Sequence, residues 1–252
     1  MKLSGNTVFI TGGTSGIGRG LAEAFHARGN RVVVAGRRED RLKQICAAHS
    51  GMSYTLLDVT DARAIRETVR KLIADFPAIN CVVNNAGVQM HLTHSAEDEL
   101  DDPRLQAEIA TNLLGPIRVT SAFLPQLSRT SGATLINVSS GLAFVPMARF
   151  PVYCATKAAV HSWTMSLRRQ VREAGVKVIE IIPPWVATEL GGPGKPATTP
   201  DGRGPMPLNV FIEETMRELS TDSDEIAVAD AKRLYEATSP ENVRRVFSMM
   251  NQ

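Results

Sequence analysis

Short apolar runs rich in Val, Ile and Thr recur along this chain. Each is followed by a longer stretch whose apolar positions return every three or four residues. The short runs, at 7–10, 31–35, 53–57, 81–83, 134–138 and 176–182, have the length and β-branched content of strands. The longer stretches, at 17–28, 39–48, 61–75, 105–127 and 154–174, read as helices. Asp61 is placed to cap the third helix, while Gly29 and Gly175 close the first and the last. Alternating strands and helices predict a parallel sheet covered on both faces, an α/β doubly wound domain in three layers. No repeat or low-complexity linker divides 1–252, so a single domain is expected. The one shift in composition, GGPGKPATTPDGRGPMP at 191–207, is too rich in Gly and Pro for a regular element. It reads either as a plain surface loop or as a substrate lid within 189–220. Its position after the end of a strand, where open α/β sheets bind ligands, favours the lid.

Charge changes the picture mainly by exclusion. Lys and Arg nearly balance Asp and Glu, for a net charge of +2 over 252 residues, and basic residues occur only in short clusters such as Arg37, Arg38 and Arg41. Neither a nucleic-acid nor a membrane partner is implied. The opening MKLSGNTVFI runs directly into the first strand. It has no signal-peptide apolar region and no spanning segment of ~20 apolar residues, so a cytoplasmic location is expected. Cys46, Cys81 and Cys154 are far apart and lack metal-ligand spacing, which reads as reduced, mostly buried thiols. His91, His94 and His161 show no pattern that requires a metal, and none is expected.

Candidate chemistry concentrates in three places. Tyr153 and Lys157 lie four residues apart on one expected helix face. A tyrosine near its ordinary pKa of ~10 is a poor acid or base at neutral pH, and a neighbouring ammonium is expected to favour the phenolate. The pair then suits proton exchange with a carbonyl or alcohol, although the same spacing also occurs on ordinary solvated helices. TVFITGGTSGIG puts Gly12, Gly16 and Gly18, with Thr14, Ser15 and Ile17 among them, between the first strand and first helix. Glycines let the backbone approach a ligand, and free N–H groups at a helix start suit a pyrophosphate. A tight strand-to-helix turn is the rival reading. At the end of the second strand, VVVAGRRED offers Arg37 and Arg38 where an acid would hold the ribose 2′-hydroxyl of NAD. That favours NADP(H) over NAD(H), with Arg37 the stronger candidate and Arg38 supporting; two solvated surface arginines are the alternative.

Together these motifs resemble the short-chain dehydrogenase/reductase family of single-domain, Rossmann-like enzymes over about residues 5–190. The match continues through Asp58 in LLDVTD, NNAG at 84–87, Asn112 in TNLLGPIRVT, NVSS at 137–140 and PPWVAT at 183–188. The resemblance implies a catalytic set of Asn112, Ser140, Tyr153 and Lys157. Ser140 is preferred over Ser139 because it lies thirteen residues before Tyr153. It also implies adenine contacts from Asp58 and Val59, a cofactor floor of Asn85, Ala86 and Gly87, and nicotinamide contacts near Pro183, Val186 and Thr188. Pro184 departs from the family's usual Pro-Gly, and the family's frequent Gly-rich final strand is missing; the chain closes NVRRVFSMMNQ. A homodimer through the helices at 105–127 and 154–174 is therefore expected, a homotetramer being the alternative. Within the family, the run around Tyr153 resembles the branch named after lipoteichoic-acid D-alanylation, a name that carries no activity over to this chain.

The implied reaction is hydride transfer between NADP(H) and a small-molecule carbonyl or secondary alcohol. Ser140 polarises the carbonyl, Tyr153 exchanges the proton, and Asn112 holds a water that leads from Lys157. Phe144, Val145, Met147 and Phe150 on one side, with Trp185, Leu190 and Met206 on the other, predict an apolar substrate pocket, or simply core. Reduction of 3-oxoacyl thioesters and a non-enzymatic NADP-sensing role remain alternatives. A pure sensor has no need of Ser140 or Tyr153.

Overall fold

The computed structural model describes residues 1–92, 102–192, 198 and 204–251. Seven strands run in the chain order β1 (Thr7–Thr11), β2 (Arg31–Gly36), β3 (Ser53–Leu56), β4 (Ile79–Asn84), β5 (Thr134–Val138), β6 (Lys177–Ile182) and β7 (Glu225–Ala227). They form one sheet in the order β3-β2-β1-β4-β5-β6-β7, every neighbouring pair parallel. Strand order reverses between β1 and β4. In a doubly wound sheet that switch opens a crevice beyond the carboxyl ends of the strands.

Nine helices accompany the strands among the described residues: α1 (Gly16–His26), α2 (Glu39–Ala48), α3 (Ala62–Asp75), α4 (Asp102–Ile109), α5 (Gly115–Leu127), α6 (Pro151–Gln170), α7 (Leu208–Leu219), α8 (Ala231–Tyr235) and α9 (Pro240–Met250). Successive residues of β1 point to opposite faces, as the pleat requires. Val8 and Ile10 pack with Leu21 and Phe25 of α1, Leu42 of α2 and Phe211 of α7. Phe9 packs on the other face with Ile65 of α3, Phe123 of α5 and Leu167 of α6. Both faces are covered, which is why β1 can be apolar at every position.

Several expectations from the sequence need correction. The segment 105–127 is not one helix. A π-helical turn at Ala110–Leu114 separates α4 from α5, with the Gly115 N–H bonded five residues back to the Ala110 carbonyl. Pro116 follows in the first turn of α5 and has no N–H to offer the carbonyl of Asn112. The sheet does not stop at β6, because β7 completes its edge without the glycine-rich signature expected of a last strand. Within 189–220, the expected lid, residues 193–197 and 199–203 lie outside those described, but 208–219 are the helix α7. Its Phe211, Ile212, Met216 and Leu219 are buried against the core. The loop between Thr188 and Leu208 is pinned at its base, where Met206 donates its N–H to the Trp185 carbonyl and accepts from Ala187 N–H.

Candidate active site

A cavity of about 1130 Å³ lies along the carboxyl edge of the sheet, and the turns after β1, β2, β4, β5 and β6 all line it. The β1–α1 turn forms one wall. Gly12 holds a positive φ of 69°, and a side-chain carbon there would sit 2.8 Å from Ala86 Cα. Gly18 allows a second close approach, since a Cβ would meet the Gly12 carbonyl oxygen at 2.4 Å. Asn85 ties the turn to β4, donating from its side chain to the carbonyls of Thr11 (3.0 Å) and Gly12 (3.3 Å). The Thr11 hydroxyl accepts the N–H groups of Asn85 and Ala86. Asn85 thus works as a strut for the glycine turn as well as a lining residue.

Arg38, not Arg37, is the arginine fastened to this turn. Its guanidinium donates to Thr14 Oγ1 and Ser15 Oγ, each at 2.7 Å, and to Glu189 at 2.9 Å. Arg41 joins it, with both Glu189 carboxylate oxygens 2.7 Å from its Nη1. The two guanidinium groups pull the Glu189 carboxyl down to about 2. Arg37 is more exposed and stands 3.8 Å from Asp58, whose other oxygen accepts from Thr60. The Arg38 guanidinium just beyond β2, with Arg41 of α2 beside it on Glu189, and a turn only glycine can make form a cradle that fits the phosphates of a dinucleotide.

The opposite wall carries Ser140, Tyr153 and Lys157, all buried and all lining the cavity. Pro151 at the start of α6 brings Tyr153 into the first turn of that helix, and Lys157 follows on the same face with its Nζ 5.7 Å from the tyrosine ring centre. Lys157 donates to the Val138 carbonyl at 2.8 Å. Burial lowers its ammonium to about 8, against the opposing charge of Glu180. Burial also pushes the Tyr153 phenol well above its ordinary value, and hydrogen bonding with Ser140 only partly offsets this. Burial, and not the expected acidification by Lys157, therefore governs the Tyr153 phenol in this structure. Ser140 Oγ accepts from Leu142 N–H at 3.1 Å, which leaves its own proton to donate.

Asn112 sits in the π-helical turn, buried just outside the cavity lining. It donates to the Val88 carbonyl (2.8 Å) and Thr156 Oγ1 (3.2 Å) and accepts from Val88 N–H (2.9 Å). A Cβ at Gly87 would lie within 4 Å of both Asn112 Oδ1 and Lys157 Nζ, so the two side chains share that neighbour.

The structure brings Gly12, Thr14, Ser15, Gly16, Ile17, Arg37, Arg38, Asp58, Val59, Ala86, Gly87, Pro183, Val186 and Thr188 to the same cavity, together with Phe150, Trp185, Leu190 and Met206. Phe144 is not among the lining residues. Its ring packs edge-on against His161 and Tyr235 behind the wall. The sequence reading missed Leu142, Arg149, Leu234 and the C-terminal Met249, Met250 and Asn251, which also line it. Asn251 reaches the loop before α6 by accepting from Ala148 N–H and donating to the Pro146 carbonyl. No local pattern in the chain's last residues signals that contact. Among the described residues, no helix is long and apolar enough to cross a membrane. Cys46, Cys81 and Cys154 are free thiols, and His94 lies outside the described residues.

The profile of the family described as short chain dehydrogenase matches residues 6–197. An uncharacterised oxidoreductase, DltE of Bacillus subtilis (strain 168), is 35% identical over 255 residues, spanning 100% of this chain and 98% of the relative. Sulfoacetaldehyde reductase 2 of Chromohalobacter salexigens is 34% identical over 187 residues, 73% of each chain. Among solved structures, an alcohol dehydrogenase from the archaeon Thermococcus sibiricus, complexed with 5-hydroxy-NADP, has a TM-score of 0.76 at 27% identity. That alignment covers 88% of this chain and 94% of that one. With its Rossmann-like sheet and nicotinamide-cofactor crevice, this chain belongs to the short-chain dehydrogenase family and is an oxidoreductase.

Proposed function

We propose that this protein reduces a small-molecule ketone or aldehyde to the alcohol with NADPH, Tyr153 being the proton donor. The observation that carries the reading is the shared cavity: the glycine turn with Arg38 on one wall, and Ser140, Tyr153 and Lys157 on the other. NADPH supplies the hydride when bound. Gly12, Thr14, Ser15 and Gly16 would hold its pyrophosphate, Arg38 and Arg41 its 2′-phosphate, and Lys157 the nicotinamide ribose.

The chain's own groups account for the remaining chemistry. Ser140 Oγ accepts from Leu142 N–H and keeps its own proton to donate to the carbonyl oxygen as negative charge develops there. Burial keeps the Tyr153 phenol protonated at neutral pH, which suits a group that must give up a proton to that oxygen. The Lys157 ammonium favours the phenolate left behind. Asn112 is a positioning residue: its amide clamps the Val88 backbone to Thr156 beneath Lys157. Leu142, Phe150, Trp185 and Met206 favour a substrate with an apolar portion. The loop after Thr188 is proposed as the lid over it, hinged at the Met206 bridge.

NADPH oxidation against a panel of ketones, aldehydes and 3-oxoacyl thioesters tests the assignment. Tyr153→Phe is expected to cut turnover by roughly 10²–10⁴-fold, the range of a lost general acid, while NADPH still binds. Full activity in that variant would remove Tyr153 as the donor.

A further inference from the structure

Behind Lys157 lies a buried charged cluster that neither hydride transfer nor substrate binding uses directly. Glu180, on β6, is wholly buried, an unusual place for a carboxylate among the apolar buried positions of that strand. One of its oxygens, Oε2, lies 2.8 Å from His161 Nδ1, while Oε1 has no hydrogen-bond partner among the described residues. His161 follows Lys157 by one turn of α6, and Lys157 follows Tyr153 by one turn, so the three side chains form a single row. The other charged or titratable groups facing the cluster are Arg168 of α6, Glu225 of β7, Asp224 just before it, and Tyr235 of α8. Arg168 and Tyr235 both bond Glu225, at 3.0 and 2.6 Å, and Arg168 also lies 3.8 Å from Asp224. Glu225 is thereby neutralised locally. The Glu180 carboxylate has His161 as its one hydrogen-bond partner among the described residues.

We infer that Glu180, oriented by His161, is a positioning carboxylate that holds Lys157 in its ammonium form and so fixes the alkaline limit of turnover. The inference rests on the reading of Tyr153 and Lys157 as the proton-transfer pair. An unpaired buried carboxylate oxygen is costly unless a nearby cation answers it; with His161 on Oε2, Lys157 is the remaining cation on the row. The charge of Glu180 opposes the desolvation that drives Lys157 toward its neutral amine. His161 is held toward its protonated form by the same carboxylate. While protonated, it shares that negative charge with Lys157; once neutral, it leaves the whole charge to Lys157. A bound divalent cation is the rival explanation, because ligand atoms of His161, Glu180 and Glu225 lie within 4.8 Å of one another. The Arg168 guanidinium on Glu225 already supplies a cation there, which favours the internal relay.

The test uses the full chain and two readouts. The first is the midpoint of the Lys157 ammonium, followed by ¹³Cε-lysine NMR without substrate. The second is the alkaline limb of kcat/KM for NADPH-dependent reduction of 4-nitrobenzaldehyde. Glu180→Gln, and Glu180→Met beside it in case the amide misfolds, should lower both by about one pH unit or more, as loss of a neighbouring opposite charge does. Glu180→Asp should retain most of the wild-type position, and His161→Gln should shift neither the midpoint nor the alkaline limb downward. An unmoved Lys157 midpoint in the neutral variants overturns the inference, as does an equal fall in Glu180→Asp. Stoichiometric zinc in the purified protein that Glu180→Gln loses would assign the cluster to a metal instead. Because the NMR midpoint needs no turnover, a failure of Tyr153 as proton donor shows separately, as activity surviving in Tyr153→Phe.

Discussion

Replacing Arg38 by Ala tests the NADP assignment where the structure is most specific. The Arg38 guanidinium bonds the Thr14 and Ser15 hydroxyls at 2.7 Å and Glu189 at 2.9 Å. It therefore stands already oriented at the end of β2, where a 2′-phosphate would displace the Glu189 carboxylate. A hydrogen bond to a charged group contributes about 1.5–3 kcal/mol net. The Arg38 side chain is 45% exposed, so solvent screening puts the expected loss near the lower end of that range. At 1.4 kcal/mol per factor of ten, about 1.5–2 kcal/mol is roughly a 10- to 30-fold weaker Kd for NADPH. NADH lacks the phosphate and should change by less than about threefold, little enough to reflect only the lost tether on the glycine turn. Titration calorimetry of both coenzymes with wild type, Arg38→Ala and Arg37→Ala decides the point. Arg37, 3.8 Å from Asp58, is expected to matter less. Equal weakening of NADPH and NADH would refute the reasoning, because it would make Arg38 a structural tether with no part in cofactor choice.

Two further outcomes follow from buried and exposed groups respectively. Lys157 titrates at about 8 when folded, against 10.5 for a free side chain. The folded state thus sheds this proton first, and the penalty for burying the ammonium is present below pH 8 and relieved as pH rises to 10.5. The stability of Lys157→Met relative to wild type should accordingly fall by about 3 kcal/mol from neutral pH to that upper limit. Urea unfolding at both ends measures it, and a difference that does not vary with pH would defeat the assignment. On the proposed dimer seam, Met165 of α6 stays 51% exposed and Leu114, beside α5, 37%. Met165→Glu should convert a dimer to a monomer in sedimentation velocity at micromolar concentration, and an unchanged dimer would move the seam elsewhere.

What the sequence made legible is what repeats over a few residues. The first six strands end within three residues of where periodicity put them, because each is a continuous apolar run between two turns. The glycine turn and the tyrosine–lysine pair were visible for the same reason: their chemistry depends on spacing within one turn or one helix. Three-residue β7 carries no period to detect, and α7 was hidden behind a Gly/Pro-rich stretch that ends at its first turn. Phe144 looked like a pocket residue from its neighbours, but its direction was decided by His161 and Tyr235, which are distant in the chain or on the next helix. Which of Arg37 and Arg38 is tied to the glycine turn likewise depends on partners distant in the chain, Thr14, Ser15 and Glu189.

The acidity of Tyr153 could not be read from its neighbours at all. Spacing says that a cation lies one turn away, but only packing says how much water has been removed from both groups. In this fold, desolvation raises the phenol and lowers the ammonium, so each is pushed toward its uncharged form. The sequence did carry one overlooked sign of how the second push is resisted: a glutamate in the middle of KVIEII, where a buried strand tolerates no charge without a partner. That partner lies on α6, the helix that directly precedes β6, in the same row as Tyr153. On the proposed reading, a lysine kept dry enough to act on a phenol needs a counter-charge that does not itself bind to it, and Glu180, which is not among the residues lining the cavity, is the group proposed for that role.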